Sequence, residues 1–227
     1  MQSIPVITID GPSASGKGTI AQLLAKKLKW HFLDSGVLYR IVGLIAWRKG
    51  IEFVDYSALE NLIKNINIKM QISDIFDNPK IFVDNQEITE EIRSETCSKL
   101  ASQVSAIPIV RTALLARQRQ MQQLPGLVTD GRDMGTVVFP KATLKFYFQA
   151  SAEVRAERRY KQLISRGKDA NLRDVLEELC ERDVRDANRP ISPTKPAADA
   201  ILIDTSTLSI EAVLREVYQH VQKHIGV

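Results

Sequence analysis

The residues most able to carry chemistry lie near the start of the chain, in a glycine-rich stretch at residues 11–19. An apolar run at 6–9 precedes it, and apolar residues at helical spacing follow from Ile20. A loop of the form G-x-x-x-x-G-K between a strand and a helix is typical of a phosphate cradle, because glycine lets backbone N–H groups approach one anion closely. The helix N-terminus would add positive charge. We expect phosphate binding by the whole stretch, namely Gly11, Pro12, Ser13, Ala14, Ser15, Gly16, Lys17, Gly18 and Thr19.

The residue after Lys17 narrows this prediction. In the commonest loop of this kind a Ser or Thr occupies that position and its hydroxyl binds Mg²⁺. Here Gly18 occupies it and Thr19 follows, so we expect Mg²⁺ to be held mainly by phosphates and water. Asp130 ends a predicted strand at 127–130, which is a usual position for a carboxylate that holds metal-bound water.

Two further anion-binding turns follow predicted strands. Ser35 follows a short strand at 30–34, and Arg40 lies one turn into the next predicted helix. This pair could hold a phosphate, although an ordinary helix cap beside a surface arginine would look the same. After Asp130, Gly131 permits a tight turn from which Arg132 can project toward a phosphate; a salt-bridged turn is the alternative.

Arginines recur on two predicted helices near the C-terminal end. Arg155, Arg158 and Arg159 share one helical face, and Arg182, Arg185 and Arg189 recur with Asp183 and Asp186 between them. A solvated charged helix explains such a pattern, with about 0.2–0.5 kcal/mol for each ion pair. Phosphoryl transfer also needs several guanidinium groups on a segment that can close over the reaction.

The elements that position these residues alternate along the chain. Short apolar strands separated by helices predict a doubly wound parallel sheet, with ligands gathering outside the carboxyl ends of the strands. The five predicted strands are 6–9, 30–34, 127–130, 144–149 and 200–204. Between them, alternating segments at 67–73 and 80–84, turn residues at 77–79 and a third short strand near Ile88 predict an inserted antiparallel β subdomain.

The helical segments have recognisable boundaries. Ser57 with Glu60 three residues later predicts a capping box that starts a helix ending near Ile66. Other helices are predicted after the phosphate loop and at 37–47, 89–104, 108–124, 151–165, 171–187 and 210–220.

Composition excludes several classes of protein. The chain has 227 residues, a formal net charge of +4 and 6% aromatic residues, with no run of five or six like charges that would suggest nucleic-acid binding. No apolar run approaches the roughly 18 residues that span a bilayer. Cys97 and Cys180 lack metal-binding spacing, and the first strand leaves no room for a signal peptide. We expect a cytoplasmic protein with no membrane and no nucleic-acid partner.

Four segments together resemble the cytidylate kinases, a family of nucleoside monophosphate kinases. They are D-S-G-x-x-Y-R at 34–40, A-S-Q-V-x-A-x-P-x-V-R-x-A-L-L at 101–115, D-G-R-D-M-G-T-V-V-F-P at 130–140 and E-R-D-V-R-D-A-N-R-P at 181–190. The resemblance covers essentially the whole chain and includes the G-K-G-T ending of the phosphate loop. It implies an α/β P-loop kinase fold with a core at 1–66 and 89–227, a monophosphate-binding β insert at 67–88 and a helical lid at about 155–189.

The resemblance also implies an activity and its residues. The activity is transfer of the γ-phosphoryl group of ATP to CMP or dCMP, with Mg²⁺, by a monomer. Catalytic roles are expected for Lys17, Arg132, Asp133, Arg158 and Arg182, and a tentative, water-mediated metal contact for Asp130. Acceptor binding is expected for Ser35, Arg40, Ser102, Arg111, Arg132, Arg182, Asp186 and Arg189, of which Ser102 and Arg111 would read cytosine.

Two alternatives stay open at this point. A P-loop kinase for UMP, AMP or a small metabolite would share the phosphate loop, but the resemblance of Ser102, Arg111 and the β insert favours CMP. A GTP-dependent switch, or a nucleic-acid-binding protein that only senses nucleotide, is the second alternative. It is disfavoured because the guanine-reading N-K-x-D motif is missing.

Overall fold

The computed structural model describes residues 4–71 and 80–226. The strands are β1 Val6–Asp10, β2 His31–Asp34, β3 Ile68–Gln71, β4 Lys80–Val83, β5 Gln86–Glu87, β6 Leu127–Gly131, β7 Leu144–Gln149 and β8 Ile201–Asp204. The α-helices are α1 Lys17–Leu28, α2 Ser35–Arg48, α3 Tyr56–Asn65, α4 Glu95–Val104, α5 Pro108–Gln120, α6 Ala152–Ile164, α7 Leu172–Ala187 and α8 Ile210–Ile225. The chain divides into two compact units, one of residues up to Asp34 and from Met121 onward, the other Ser35–Gln120.

The first unit is built on a parallel sheet of five strands in the order β2-β6-β1-β7-β8. This confirms the predicted sheet and all five predicted strands. The register pairs Asp34 with Asp130 and Asp10 with Gly131. The carboxyl ends of β2, β6 and β1 therefore lie side by side, and the polar residues that end these strands share one edge of the sheet.

The core of this unit lies between the sheet and its helices. Side chains of β1, β6 and β7, including Ile9, Val128 and Phe146, pack with Leu24 of α1 and Val217 of α8. These strands are buried on both faces, as expected for interior strands of a parallel sheet, but only the face toward α1 and α8 is apolar, and the other carries Thr8, Thr129 and Lys145. The core fixes the strand ends from which the phosphate loop departs.

Helices α6 and α7 form the predicted lid segment and share a small apolar core of their own. It consists of Ala156 and Leu163 from α6 and Val175 and Leu179 from α7. Each helix begins with a side-chain cap, in which Ser151 accepts from Val154 N and Asn171 accepts from Arg173 N. The two arginine-bearing helices are thus held together by apolar contacts, which leaves their charged faces available for other partners.

The second unit contains helices α2 to α5 and the small antiparallel sheet β3-β4-β5. Helix α2 packs closely on α4 at Gly43, where an added Cβ would lie 2.9 Å from Leu100 Cβ. The β4–β5 turn has positive φ at Asp84 and Asn85, as a two-residue hairpin turn requires. The predicted third strand and second turn are confirmed, whereas Ile72, Ser73 and the predicted turn at 77–79 lie outside the described residues.

Several helix boundaries differ from the sequence prediction. Asp55, not Ser57, caps α3 by accepting from Ala58 N at 2.9 Å, so the predicted capping box is wrong. Glu60 instead pairs with Lys64 one turn later at 2.7 Å. The helix predicted from Thr89 is interrupted: a 3₁₀ turn at Glu91–Arg93 ends at Ser94, which caps α4. Helix α5 ends at Gln120 rather than near Leu124, and α8 extends to Ile225.

Among residues 4–71 and 80–226, no helix is both long and apolar enough to cross a lipid bilayer. The two cysteines are free thiols, Cys97 buried in α4 and Cys180 exposed on α7. Burial raises the pKa of the Cys97 thiol, which keeps it in the protonated form.

Candidate active site

The phosphate loop joins β1 to α1, and its backbone requires glycine at two positions. At Gly11 the φ angle is 150°, and an added Cβ would lie 2.4 Å from the carbonyl oxygen of Phe148 on β7. Gly16 has a φ of 88° and immediately precedes α1, in the left-handed region that suits glycine. Inside the loop, Ser15 Oγ donates to Pro12 O at 3.0 Å. The predicted strand, loop and helix are therefore confirmed in shape.

Lys17 and Asp130 lie close together and buried beside this loop. Lys17 Nζ donates to Pro12 O at 3.3 Å, and Asp130 lies at the end of β6 next to Asp34 of β2. Burial lowers the pKa of Lys17, and the nearby Arg132 charge lowers it further. Burial and the Asp34 carboxylate raise the pKa of Asp130. Both groups thus carry a desolvation cost that a bound phosphate or cation would relieve.

Gly18 lies directly beside the Asp130 carboxylate. An added Cβ at Gly18 would lie 3.7 Å from Asp130 Oδ2, in van der Waals contact with it. Asp130 Oδ1 is buried and has no hydrogen-bond partner among the described residues. Among residues 4–71 and 80–226, no group of three or more His, Cys, Asp or Glu is arranged to hold a metal ion. The donor set suits Mg²⁺ bound mostly to phosphate and water.

Asp10, which the sequence analysis missed, organises the segment after β6. Its two carboxylate oxygens accept from Met134 N at 2.9 Å and from Gly135 N at 2.8 Å, at the start of a π-helical turn, Met134–Val138. Burial raises the pKa of Asp10 to about 6, although these two hydrogen bonds favour the charged form. The only sequence signal is an acidic residue at the end of a buried strand directly before Gly11.

Asp133 precedes the same turn and is buried. Its backbone carbonyl accepts from Val137 N at 2.9 Å and from Val138 N at 3.2 Å. The structure therefore brings Asp133 and Arg132 to the strand edge that carries Asp10 and Asp130, as the sequence predicted. The clamp that Asp10 makes on the turn fixes where this segment leaves β6.

Arg132 connects the phosphate loop to α7. Its Nε donates to Asp186 Oδ2 at 3.0 Å, and its Nη2 donates to Ser13 Oγ at 2.6 Å. Arg182 and Arg189 also face the Asp186 carboxylate, with closest nitrogen–carboxylate oxygen distances of 3.9 Å and 4.0 Å. Burial of Asp186 opposes its ionisation, but the three guanidinium groups outweigh that effect and hold its pKa below the usual value.

Two arginines of α6 reach the phosphate loop, Arg155 directly and Arg158 through Thr205. Arg155 Nη1 donates to Ser13 O at 3.3 Å and pairs with Asp183 at 2.6 Å. Arg158, for which a catalytic role was predicted, donates through Nη1 to Thr205 Oγ1 at 3.1 Å. Its contact with the loop therefore passes through Thr205, a residue that the sequence analysis did not identify. The catalytic role of Arg158 stays a prediction.

In the second unit, Ser35 and Arg40 lie on the first turns of α2. Ser35 is the first residue of that helix and is buried, with an exposed fraction of 3%. Arg40 Nη1 donates to Ile92 O at 3.0 Å. The predicted helix N-terminus with a nearby arginine is present, and both parts of the predicted anion-binding turn share one helix.

The residues predicted to read cytosine are linked through Ser105. Arg111 Nη1 donates to Ser105 O at 3.0 Å, while Ser105 Oγ donates to Ser102 O at 3.0 Å. The Arg111 guanidinium lies 5.3 Å from the ring centroid of Tyr39, in a cation–π contact. Ser102 Oγ is buried without a hydrogen-bond partner among the described residues. Ser105 was missed because nothing in its spacing marks it, and Tyr39, although it lies in the D-S-G-x-x-Y-R segment, was assigned no role.

Comparison with known proteins agrees with this arrangement. The sequence model of the cytidylate kinase family matches residues 7–223. The chain is 52% identical to a cytidylate kinase of Stutzerimonas stutzeri over 221 residues, which cover 97% of this chain and 96% of that protein. It is 53% identical to a cytidylate kinase of Coxiella burnetii over 219 residues, covering 96% and 92%. The chain belongs to the cytidylate kinase family.

As a member of this family the chain is a phosphotransferase, and the predicted family is confirmed. The fold agrees as well: a gluconokinase from Sinorhizobium meliloti superposes with a TM-score of 0.50 at 12% identity, over 98% of this chain and 94% of the other. That likeness concerns the fold alone. The roles predicted for individual residues stay predictions.

Proposed function

We propose that this cytidylate kinase transfers the γ-phosphoryl group of ATP to CMP or dCMP, giving ADP and CDP or dCDP. The observation that carries the choice of acceptor is the buried Ser102 hydroxyl, which has no hydrogen-bond partner among the described residues. Natural proteins rarely leave a buried polar atom unsatisfied, so a ligand group is its natural partner. The backbone carbonyl of Ser102 is linked through Ser105 to Arg111, a fixed donor suited to the O2 and N3 edge of cytosine.

The donor is bound by residues 11–19 in this proposal. Backbone N–H groups of the loop and the N-terminus of α1 hold the phosphates of ATP, and Lys17 adds charge at the outer phosphates. Lys17 is buried and its pKa is lowered, so a triphosphate beside it restores the favourable electrostatic environment that burial removed.

The acceptor needs no general base, because the attacking oxygen belongs to a phosphate that is already ionised at neutral pH. Rate enhancement then comes from positioning and from stabilising charge on the transferred group. We assign this stabilisation to Lys17, Arg132 and the lid arginines Arg182 and Arg189, with Asp186 holding the three guanidinium groups in place. Ser35 and Arg40 bind the acceptor phosphate, and the β insert and lid contribute to recognition and closure.

The residues at the end of β6 fit Mg²⁺. Asp130 offers a buried carboxylate oxygen without a hydrogen-bond partner in the described part of the chain, and Gly18 lies directly beside the carboxylate. When bound, Mg²⁺ supplies positive charge to the phosphates of ATP. Asp130 would hold the ion through water. In this proposal the protein acts as a monomer in the cytoplasm.

An acceptor profile tests the proposal. The purified protein is supplied with ATP and Mg²⁺ and with CMP, dCMP, UMP, AMP or GMP, and ADP release is followed. We expect turnover with CMP and dCMP, and a kcat/KM for CMP that exceeds that for AMP or GMP by on the order of a hundredfold or more. Preference for AMP, UMP or GMP over CMP would overturn the assignment.

A further inference from the structure

Thr205 directly follows β8 and its hydroxyl lies at a junction of three groups. The side chain is buried, with an exposed fraction of 3%. Oγ1 lies 2.9 Å from Ser15 O in the phosphate loop, 3.2 Å from Gln149 O at the end of β7 and 3.1 Å from Arg158 Nη1. The junction therefore joins two strand ends, a lid arginine and the loop.

The surrounding groups decide where the single hydroxyl hydrogen points. Arg158 can only donate, so its bond occupies a lone pair of Oγ1 and leaves the hydroxyl to act as a donor. Of the two carbonyls in reach, Gln149 O already accepts from Thr205 N at 2.8 Å. Ser15 O is also the closer of the two to Oγ1. The hydroxyl of Thr205 therefore donates to Ser15 O.

This hydrogen bond sets the direction of the next peptide N–H group. In a planar trans peptide the C=O and the N–H point in opposite directions. Because Ser15 O points to Thr205, the N–H of Gly16 points away from it, into the loop. Gly16 has a positive φ and no Cβ, so sterics restrain the Ser15–Gly16 peptide weakly and an external contact has to restrain it.

Other carbonyls of the loop are held in the same manner. Ser13 O accepts from Arg155 Nη1 at 3.3 Å, and Pro12 O accepts from Ser15 Oγ and from Lys17 Nζ. The loop carbonyls at Pro12, Ser13 and Ser15 are therefore all occupied by protein donors. Thr205 lies about 190 residues along the chain from its target, whereas the Ser15 and Lys17 donors belong to the loop segment itself.

We infer that Thr205 is a positioning residue for the donor nucleotide: its hydroxyl holds the Ser15–Gly16 peptide so that Gly16 N–H faces the phosphates of ATP. The inference rests on the proposed use of ATP as donor. A loop that is already ordered binds phosphate without the cost of orienting its amides, which is the advantage of a preorganised site. Arg158 acts on the same peptide by keeping the Thr205 hydroxyl in its donor orientation.

Thr205→Val keeps the size of the side chain and removes the hydroxyl. We expect the Kd for ATP, measured by titration calorimetry without an acceptor, to rise by on the order of tenfold. The KM for ATP rises with it, while the KM for CMP stays near the wild-type value. Thr205→Ser, which keeps the hydroxyl, restores ATP affinity.

The matched control is Thr129→Val. Thr129 lies on β6, is buried like Thr205, and donates through Oγ1 to Leu33 O at 3.0 Å. We expect Thr129→Val to lower thermal stability, as Thr205→Val does, but to leave the Kd for ATP unchanged. If Thr205→Val binds ATP like the wild type, or if Thr129→Val weakens ATP binding equally, the inference is wrong.

Arg158→Met provides a second variant if Thr205→Val fails to fold. It removes the donors that Arg158 supplies to Thr205 Oγ1 and to the Thr205 carbonyl oxygen, so the hydroxyl loses the contact that holds its donor orientation. ATP affinity therefore falls, by less than in Thr205→Val. An ATP affinity at the wild-type value in Arg158→Met would contradict this action of Arg158. Since the calorimetry needs no acceptor, a wild-type enzyme that binds ATP but ignores CMP would contradict the proposed function and leave this test intact.

Discussion

Arg132 and Asp186 form a largely buried ion pair across 54 residues of chain, with Arg132 Nε donating to Asp186 Oδ2 at 3.0 Å. Arg132 follows the central strand β6, whereas Asp186 lies in the last turn of α7. Two further arginines, Arg182 and Arg189, face the same carboxylate. One buried carboxylate thus faces three guanidinium groups and links the segment after β6 to the end of α7.

Asp186→Asn tests whether this carboxylate holds the lid arginines. The variant keeps the shape of the side chain but removes the negative charge that three guanidinium groups face. We expect the free energy of unfolding to fall by about 3 kcal/mol, because removing one partner of the buried Arg132–Asp186 ion pair is strongly destabilising. Urea denaturation at neutral pH, where Asp186 is ionised, measures the change.

Glu177→Gln is the matched control for this prediction. Glu177 lies on the same helix and is exposed, so its neutralisation changes stability by less than about 0.5 kcal/mol. Equal losses in the two variants would mean that α7 responds to total charge rather than to the buried cluster.

Ser102→Ala separates ligand binding from folding. Ser102 Oγ has no protein partner within the described residues, so its removal takes away a desolvation cost and leaves stability unchanged or slightly higher. The KM for CMP rises by about tenfold and the KM for ATP does not change. The assays are thermal unfolding and steady-state kinetics with each substrate varied.

Ser98→Ala on the same helix is the comparison for Ser102. Its hydroxyl donates to Ser94 O at 3.2 Å, one turn earlier in the chain, so it is already satisfied within the protein. The KM for CMP stays at the wild-type value. A Ser102→Ala enzyme with unaltered KM for CMP would show that the buried hydroxyl does not meet the acceptor.

The sequence was sufficient for the sheet, the phosphate loop and the arginine clusters because each has a local signature. Short apolar runs separated by helical segments indicate β1 and β6. The spacing of Gly11, Gly16 and Lys17 indicates the phosphate loop. Asp10 and Thr205 could not be found in this way. Their roles depend on hydrogen bonds to Met134 and to Ser15, far away in the chain, and such pairings have no local pattern.

The cap of α3 shows a second kind of limit. Asp55 and Ser57 are both residue types that cap helix N-termini. Ser57 also has a Glu three residues later, as a capping box requires. The structure uses Asp55, and Glu60 is paired with Lys64 on the helix surface. The capping preferences of Asp and Ser differ by less than about 1 kcal/mol, so the packing of the rest of the helix decides which of the two residues caps it.

Asp10 gives the protein a pH dependence of defined sign. Burial raises its pKa from 3.8 to about 6, so the folded protein binds this proton more tightly than the unfolded chain does. The contribution is fully present below pH 4 and is lost as the pH rises through about 6, by on the order of 3 kcal/mol. Subtracting the unfolding free energies of Asp10→Asn from those of the wild type at each pH isolates this component. Parallel pH profiles of the two proteins would contradict the assignment.

Lys17→Met tests two effects of the buried Lys17 charge: its cost to the stability of the fold and its contribution to catalysis. In the folded protein burial lowers the pKa of Lys17, so replacing the ammonium with an apolar side chain of similar length removes a desolvation penalty. The melting temperature therefore stays the same or rises, while kcat for CMP falls by about 10²–10³-fold through loss of charge stabilisation at the transferred phosphoryl group.

The matched control replaces Lys223, an exposed lysine in the last turn of α8. Lys223→Met leaves both the melting temperature and kcat unchanged. Turnover at the wild-type rate in Lys17→Met would mean that the phosphate loop binds its ligand without assisting the reaction, and the arginines alone would then have to stabilise the transferred charge.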